Sequence, residues 1–257
     1  MFPISDDNPT LRTPVVTYAL LATLLLVFVV VQGAGGVTNP DQLVASVCNY
    51  GMVPAELLKT RPVGLAIPMT PRLACVIDDY TINYFTPLTS MFLHGGWAHL
   101  LGNALFLWVF GNNVEDSMGR GRFLAFYLIC GLAAAAAHLA VEPASPVPTV
   151  GASGAISGVL GGYLLLYPRV RVRTFFPPFF LFRVPAWFVL VLWFVGQVVA
   201  GLPQLSQMRP DVSSGVAVWA HIGGFVAGAL LVKLFEDRGR VARRTHAGDA
   251  QAAFGAT

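Results

Sequence analysis

A serine hydroxyl becomes a useful nucleophile when a base takes its proton, and an imidazole with an ordinary pKa of about 6.5 suits that task. This chain places Ser153 in PTVGASGAISGVLGG (148–162) and His221 in AHIGGFVAG (220–228). A third stretch, HGGWAHLLGN (94–103), carries His99 and Asn103 four residues apart, which puts both on one face of a helix. Together these residues could hold a serine–histidine dyad with hydrogen-bond donors beside it. The glycines around the serine weaken a helix unless they allow a turn or a close approach of two backbones.

The elements that must position these residues are membrane spans. Of 257 residues, 55% are hydrophobic and 11% charged, against about a quarter charged in an average soluble domain. Six stretches without Asp, Glu, Lys or Arg (13–40, 80–114, 123–141, 143–168, 184–208 and 212–232) are each long enough to hold the roughly 20 residues a helix needs to cross a bilayer. They place spans near 14–32, 90–111, 122–141, 151–167, 186–203 and 215–234. The first is read as a retained span, because its apolar run is long for a signal peptide and no cleavage pattern stands out. The fold expected is therefore an all-α six-helix membrane domain over 14–235. A short N-terminal segment (1–13) precedes it, and a basic tail (236–257), expected to be disordered, follows.

Lysines and arginines set the orientation. Arg12, Arg120, Arg122, Arg169, Arg171, Arg173, Arg183, Lys233 and the tail's four arginines gather on one side; Lys59, Arg61, Arg72 and Arg209 lie on the other. Both termini are thus expected in the cytoplasm, and the net charge of +3 reads as a topology signal with no nucleic-acid partner. The long first outer loop, about 33–87, is expected to lie partly on the membrane or to cover something. It holds Cys48 and Cys75, for which a disulfide and two free thiols are both open readings; Cys130, in the third span, reads as packing.

Polar groups within the apolar spans are functional candidates. They are His94, His99 and Asn103 in span 2, His138 at the end of span 3, Ser153 and Ser157 in span 4, Gln197 in span 5 and His221 in span 6. All thirteen Asp and Glu residues fall outside the spans, so a dyad is expected and not a triad. Spans 2, 4 and 6 all enter from the outer face, which sets Ser153, His221, His99 and Asn103 in one outer layer. Ser153, Ser157 and Gly161 share a stripe, as do His221, Gly224 and Gly228, and small residues on facing stripes let two helices approach closely. His99, Asn103 and the Ser153 N–H would then hold a developing oxyanion. Ser157 fits a bond to a preceding carbonyl, His94 fits a contact with the first loop, and His138 and Gln197 receive no role.

At these motifs the chain resembles the rhomboids, a family of intramembrane serine proteases. Its matching elements are His-x-x-x-Asn (His99, Asn103), Gly-x-Ser-Gly (Gly151, Ser153, Gly154) and Ala-His-x-x-Gly-x-x-x-Gly (His221, Gly224, Gly228). The resemblance implies an endopeptidase in a bacterial cytoplasmic membrane, with no cofactor and no metal. It would cleave transmembrane segments of other membrane proteins near the outer face of the bilayer, preferably after small residues. It also implies a lateral gate at span 5, with Trp193 as the gating aromatic. Two departures stand out. YFTPLTS (84–90) replaces a Trp-Arg pair common in the family, and Ser157 stands where a tyrosine often stacks on the histidine, so tight helix packing is expected to position the base. A non-proteolytic binder of membrane proteins is the alternative. A transporter is disfavoured by the lack of charged groups at mid-membrane and of an internal repeat.

Overall fold

The computed structural model describes residues 2–241 apart from 38, 177, 179 and 206–216. Arg209, most of the loop before the sixth span and the tail from 242 onward therefore lie outside the described residues. Among the described residues ten α-helices follow one another: α1 (Val15–Val30), α2 (Pro40–Tyr50), α3 (Pro54–Leu57), α4 (Thr86–Thr89), α5 (Trp97–Phe106), α6 (Asn112–Met118), α7 (Arg120–Val141), α8 (Ser153–Leu166), α9 (Ala186–Leu205) and α10 (Val218–Phe235). A π-helical turn, Leu107–Gly111, joins α5 to α6 into one interrupted rod. The helices α7, α9 and α10 are long and apolar enough to cross a membrane; α1 and α8 are apolar and shorter.

The expected helical fold holds for most of the chain, and among the described residues five short strands add to it. They are β1 (Phe2–Asp6), β2 (Ala66–Pro68), β3 (Ala74–Val76), β4 (Arg171–Phe176) and β5 (Phe180–Pro185). The order β1-β4-β5 makes a three-stranded antiparallel sheet, and β2-β3 a hairpin. The stretch RVRTFF alternates polar and apolar residues before aromatics, and its hairpin partner FLFRVP is aromatic and apolar, a composition that favours strand over helix.

One end of the bundle collects β1, the start of α1, the end of α6, the β4–β5 hairpin and the exit of α10. Glu115 on α6 accepts the Val16 and Thr17 N–H groups and the Thr17 hydroxyl at 2.7–3.0 Å. A carboxylate there satisfies donors that the start of α1 leaves free, since Pro14 offers no side-chain cap. Nearby, Asp116 accepts the Leu11 N–H at 2.7 Å, and Asp237 donates its N–H to the Ser117 carbonyl at 2.9 Å. The Asp6 carboxylate accepts from Asn113 Nδ2 and from the Tyr163 hydroxyl on α8.

The opposite end is covered by the first outer loop, which is a folded structure. Asn39 caps α2 by accepting the Asp41 N–H. A Cys48–Cys75 disulfide ties α2 to β3, which decides between the two readings of these cysteines. Val53, Ala55 and Ile77 form a small core of the loop's own. Met52 and Thr149 pair through two backbone hydrogen bonds, fastening the loop to the segment that leads into α8. In this loop, burial, and after it the Asp78 carboxylate, push the Glu56 carboxyl up to about 7.

Candidate active site

Ser153 is the first residue of α8, and the chain reaches it through a sharp turn. Gly151 has φ +132°, a conformation open to glycine, and a Cβ there would press on the His99 ring at 2.8 Å. Its N–H is held by the Ser90 carbonyl at 2.9 Å. The turn leaves the Ser153 hydroxyl at the mouth of the helix, 2.7 Å from His221 Nε2. His221 stands in the first turn of α10.

Two bare stretches of backbone hold those helices together. A Cβ on Gly224 would collide with the Gly154 carbonyl, one on Gly228 with the Gly158 carbonyl, and one on Gly161 with the Phe225 carbonyl. The seam is therefore a direct backbone contact, as the small-residue stripes predict. Gly154 in turn packs against Ala134 of α7. These glycines set the distance between hydroxyl and imidazole.

The imidazole has a second partner, to which the sequence alone assigns no role. His221 Nδ1 lies 2.8 Å from Gln197 Oε1 on α9. The amide oxygen accepts from Nδ1–H, which leaves the Nε2 lone pair to accept from the serine hydroxyl. Packing was expected to position the base in place of the family's tyrosine; a hydrogen bond from α9 does so as well. The available signal was that Gln197 is the single amide side chain in span 5. Trp193, one turn earlier, tilts over the same ring with centroids 5.9 Å apart.

His99 and Asn103 approach from α5. The His99 Nδ1 accepts the Gly95 N–H at 3.3 Å, so in the neutral ring Nε2 carries the proton, on the side that borders Gly151. Asn103 is buried, and its Nδ2 has no partner among the described residues. Ser153, His221, His99, Asn103, Trp193 and the loop residue Met52 all line one cavity of about 610 Å³. All four residues expected in one layer thus meet at one place.

The remaining polar residues have quieter positions. Ser157 donates to the Ser153 carbonyl at 2.6 Å, the local bond expected of it. His138 pairs with the Thr149 hydroxyl at 3.0 Å. His94 departs from its expected place in span 2: α5 begins at Trp97, so His94 precedes the helix. Its backbone exchanges hydrogen bonds with the Gln32 side chain just after α1, and its ring packs edge-on against His99.

Known proteins resemble this chain at the level of the family. The Rhomboid domain family matches residues 82–237. Over 163 residues the chain is 34% identical to Rhomboid protease GluP of Bacillus subtilis, covering 63% of this chain and 26% of that protein. Over 158 residues it is 31% identical to Rhomboid protein 1, mitochondrial, of Saccharomyces cerevisiae, covering 59% and 42%. Putative rhomboid protease YdcA of Bacillus subtilis is 29% identical over 144 residues, covering 56% and 63%. The chain thus spans less than two thirds of the length of each of these relatives. The apolar helices and the family match make it an integral membrane protein. With the matched domain covering all three motifs and most of the bundle, the chain belongs to the rhomboid family.

Proposed function

We propose that this protein is an intramembrane serine endopeptidase that cuts transmembrane segments of other membrane proteins near the outer face of the bilayer. The observation that carries the reading is the 2.7 Å contact between the Ser153 hydroxyl and His221 Nε2, inside a cavity that also receives His99 and Asn103.

The chemistry follows from the hydrogen bonds. Ser153 Oγ attacks the scissile carbonyl carbon as His221 Nε2 takes the hydroxyl proton, and Gln197 holds Nδ1–H so that Nε2 faces the serine. The carbonyl oxygen becomes an oxyanion. The donors within the site are His99 Nε2–H, the Asn103 amide and the free Ser153 N–H at the start of α8. As the C–N bond breaks, His221 returns the proton to the leaving amine and an acyl-serine ester remains. Water entering through the cavity then hydrolyses the ester with His221 again as base. Glycine at 151, 154, 224 and 228 keeps nucleophile and base at bonding distance.

The reading includes six membrane-crossing segments within 14–235, both termini in the cytoplasm, and residence in a bacterial cytoplasmic membrane. The end of the bundle that gathers Arg12, Arg120, Arg122 and the β4–β5 hairpin would face the cytoplasm, in keeping with its basic residues. Substrate would enter beside α9, with Trp193 as the side chain that yields.

The test is covalent labelling by a fluorophosphonate in vesicles, together with cleavage of a reporter transmembrane substrate. Labelling should occur at Ser153 and disappear in both Ser153→Ala and His221→Ala, with cleavage lost in parallel. A protein that binds the reporter helix unchanged in Ser153→Ala and takes no label would be a non-proteolytic binder instead.

A further inference from the structure

The β1-β4-β5 sheet carries a surface that the proteolytic reading does not use. In antiparallel pairing, residues directly opposite share a face, so the register Pro3–Thr174–Phe182 defines one side of the sheet. Val172, Thr174, Phe176, Phe180, Phe182 and Val184 all belong to it by the two-residue period of a strand. At the base of the hairpin this face is covered by protein. Val172 and Thr174 are fully buried, and Val172 belongs to the main core with Val184 packed against it.

Toward the tip the same face outruns the bundle. Phe180 is 57% and Phe182 49% exposed, yet they cluster with Phe176, the ring centroids lying 5.6 and 6.1 Å from that of Phe182. The opposite face carries Arg171, Arg173 and Arg183, all exposed, and Arg173 reaches Asp7 at 3.6 Å. The sheet therefore has an apolar side turned toward the bundle and a side turned away that carries the arginines, with Phe2, Phe175 and Leu181 beside the tip. From the overhang β5 leads back through Val184 and Pro185 into α9, whose first turns expose Trp187, Phe188, Val191 and Leu192. Those side chains belong to a helix apolar enough to cross a membrane.

We propose that the aromatic overhang of the β4–β5 hairpin rests in the interfacial layer of the bilayer leaflet at this end of the bundle, anchoring the foot of α9. Protein covers the inner face where it lies over the helices; lipid covers the same face where it passes their edge. Aromatic side chains favour this interfacial layer, and the helix that β5 leads into exposes apolar side chains from its first turn. The arginines on the outer face stay in water among the headgroups. The inference rests on membrane residence and needs no catalysis.

The register supplies the test. In a Cys130→Ala background, Phe182→Cys and Arg183→Cys are each labelled with an environment-sensitive fluorophore and the protein is placed in phosphatidylcholine vesicles. Some vesicles carry lipids with a nitroxide on an upper acyl carbon. The label at 182 should emit to the blue and be quenched about threefold more strongly than the label at 183. Phe180→Cys and Leu181→Cys repeat the inner–outer contrast should either first variant unfold, as judged by thermal melting. Equal quenching at the two positions, or water-like emission at 182, overturns the proposal. So does blue emission at 182 that lipid nitroxides leave unquenched and that grows with protein density, which would place a second copy there. Loss of proteolysis alone bears on the dyad and leaves this result standing.

Discussion

The cavity has two unlike walls. One is the seam between α8 and α10, where glycines face each other and carbonyl oxygens stand where side chains would otherwise be. The other is assembled from α9 and the first outer loop, which are joined to the site by hydrogen bonds and a ring contact. The seam sets how far the serine stands from the imidazole. The looser wall sets how that imidazole is turned and what lies above it. Distance is thus held by packing, which tolerates almost no change in volume. Orientation is held by single polar contacts that can be removed one at a time.

The largest effect should come from the seam. Gly228→Val puts a branched side chain against the Gly158 carbonyl, and overpacking of this kind costs about 1–3 kcal/mol or more. Cleavage should fall below detection and the melting temperature should drop. Full activity in this variant would mean that the two helices can separate freely without cost to the site.

An intermediate effect is expected on the other wall. Gln197→Leu removes the acceptor of Nδ1–H while keeping an apolar side chain of similar size. We expect a fall of about tenfold to a hundredfold in kcat/KM, on the scale of a lost, geometry-setting hydrogen bond of about 1.5–3 kcal/mol. Melting should barely change, and Gln197→Glu, which keeps an oxygen in place, should restore most of the rate. A Leu variant as active as the parent would reduce Gln197 to a bystander. Asn103→Ala probes the floor of the cavity. Loss of one oxyanion donor typically lowers kcat by about 10²–10³, and steady-state cleavage with KM determined separately reads it.

Smaller effects belong to the outer loop. Cys75→Ala frees a loop that closes over a sequence separation of 27 residues, and chain entropy assigns such a closure about 3–4 kcal/mol of local stabilisation. Amides near 64–77 should exchange faster while those of α8 and α10 stay protected. The smallest effect is a pH dependence. Glu56 titrates at about 7 in the folded loop, above its ordinary 4.5, so the folded state holds its proton more tightly than the unfolded one. The stability this contributes is present below about 4.5 and is lost as pH rises through 7. Hydrogen exchange of the loop, corrected for intrinsic rates, should therefore speed up between about pH 4.5 and 7 and level off above, and Glu56→Gln should abolish the change. An unchanged pH response in that variant would move the titration to another group.

How much of this was legible in the sequence follows from the same contrast. Ser153, His221, His99 and Asn103 could be placed in one layer because a polar group in an apolar span is costly, and span direction gives its depth. The glycine stripes were legible for a related reason, since small residues at every fourth position mark a close helix contact. Gln197 was visible, but its partner was not. A helix that is apolar all round carries no pattern to reveal its rotation. The sheet escaped notice because β1 is short, contains Pro3 and finds its partner far along the chain. The π turn after Phe106 and the Cys48–Cys75 pairing leave no local trace at all.

That distant pairing has a consequence for how the molecule is made. Phe2 meets Phe175, roughly 170 residues later, so β1 has no mate until four apolar segments have been synthesised. The opening strand must wait, unpaired, while the helices between enter the bilayer. When β4 emerges it seals the bundle from the bottom, like a drawstring pulled late. A ribosome stalled after α8 would therefore hold a molecule with its serine in place and its base not yet made.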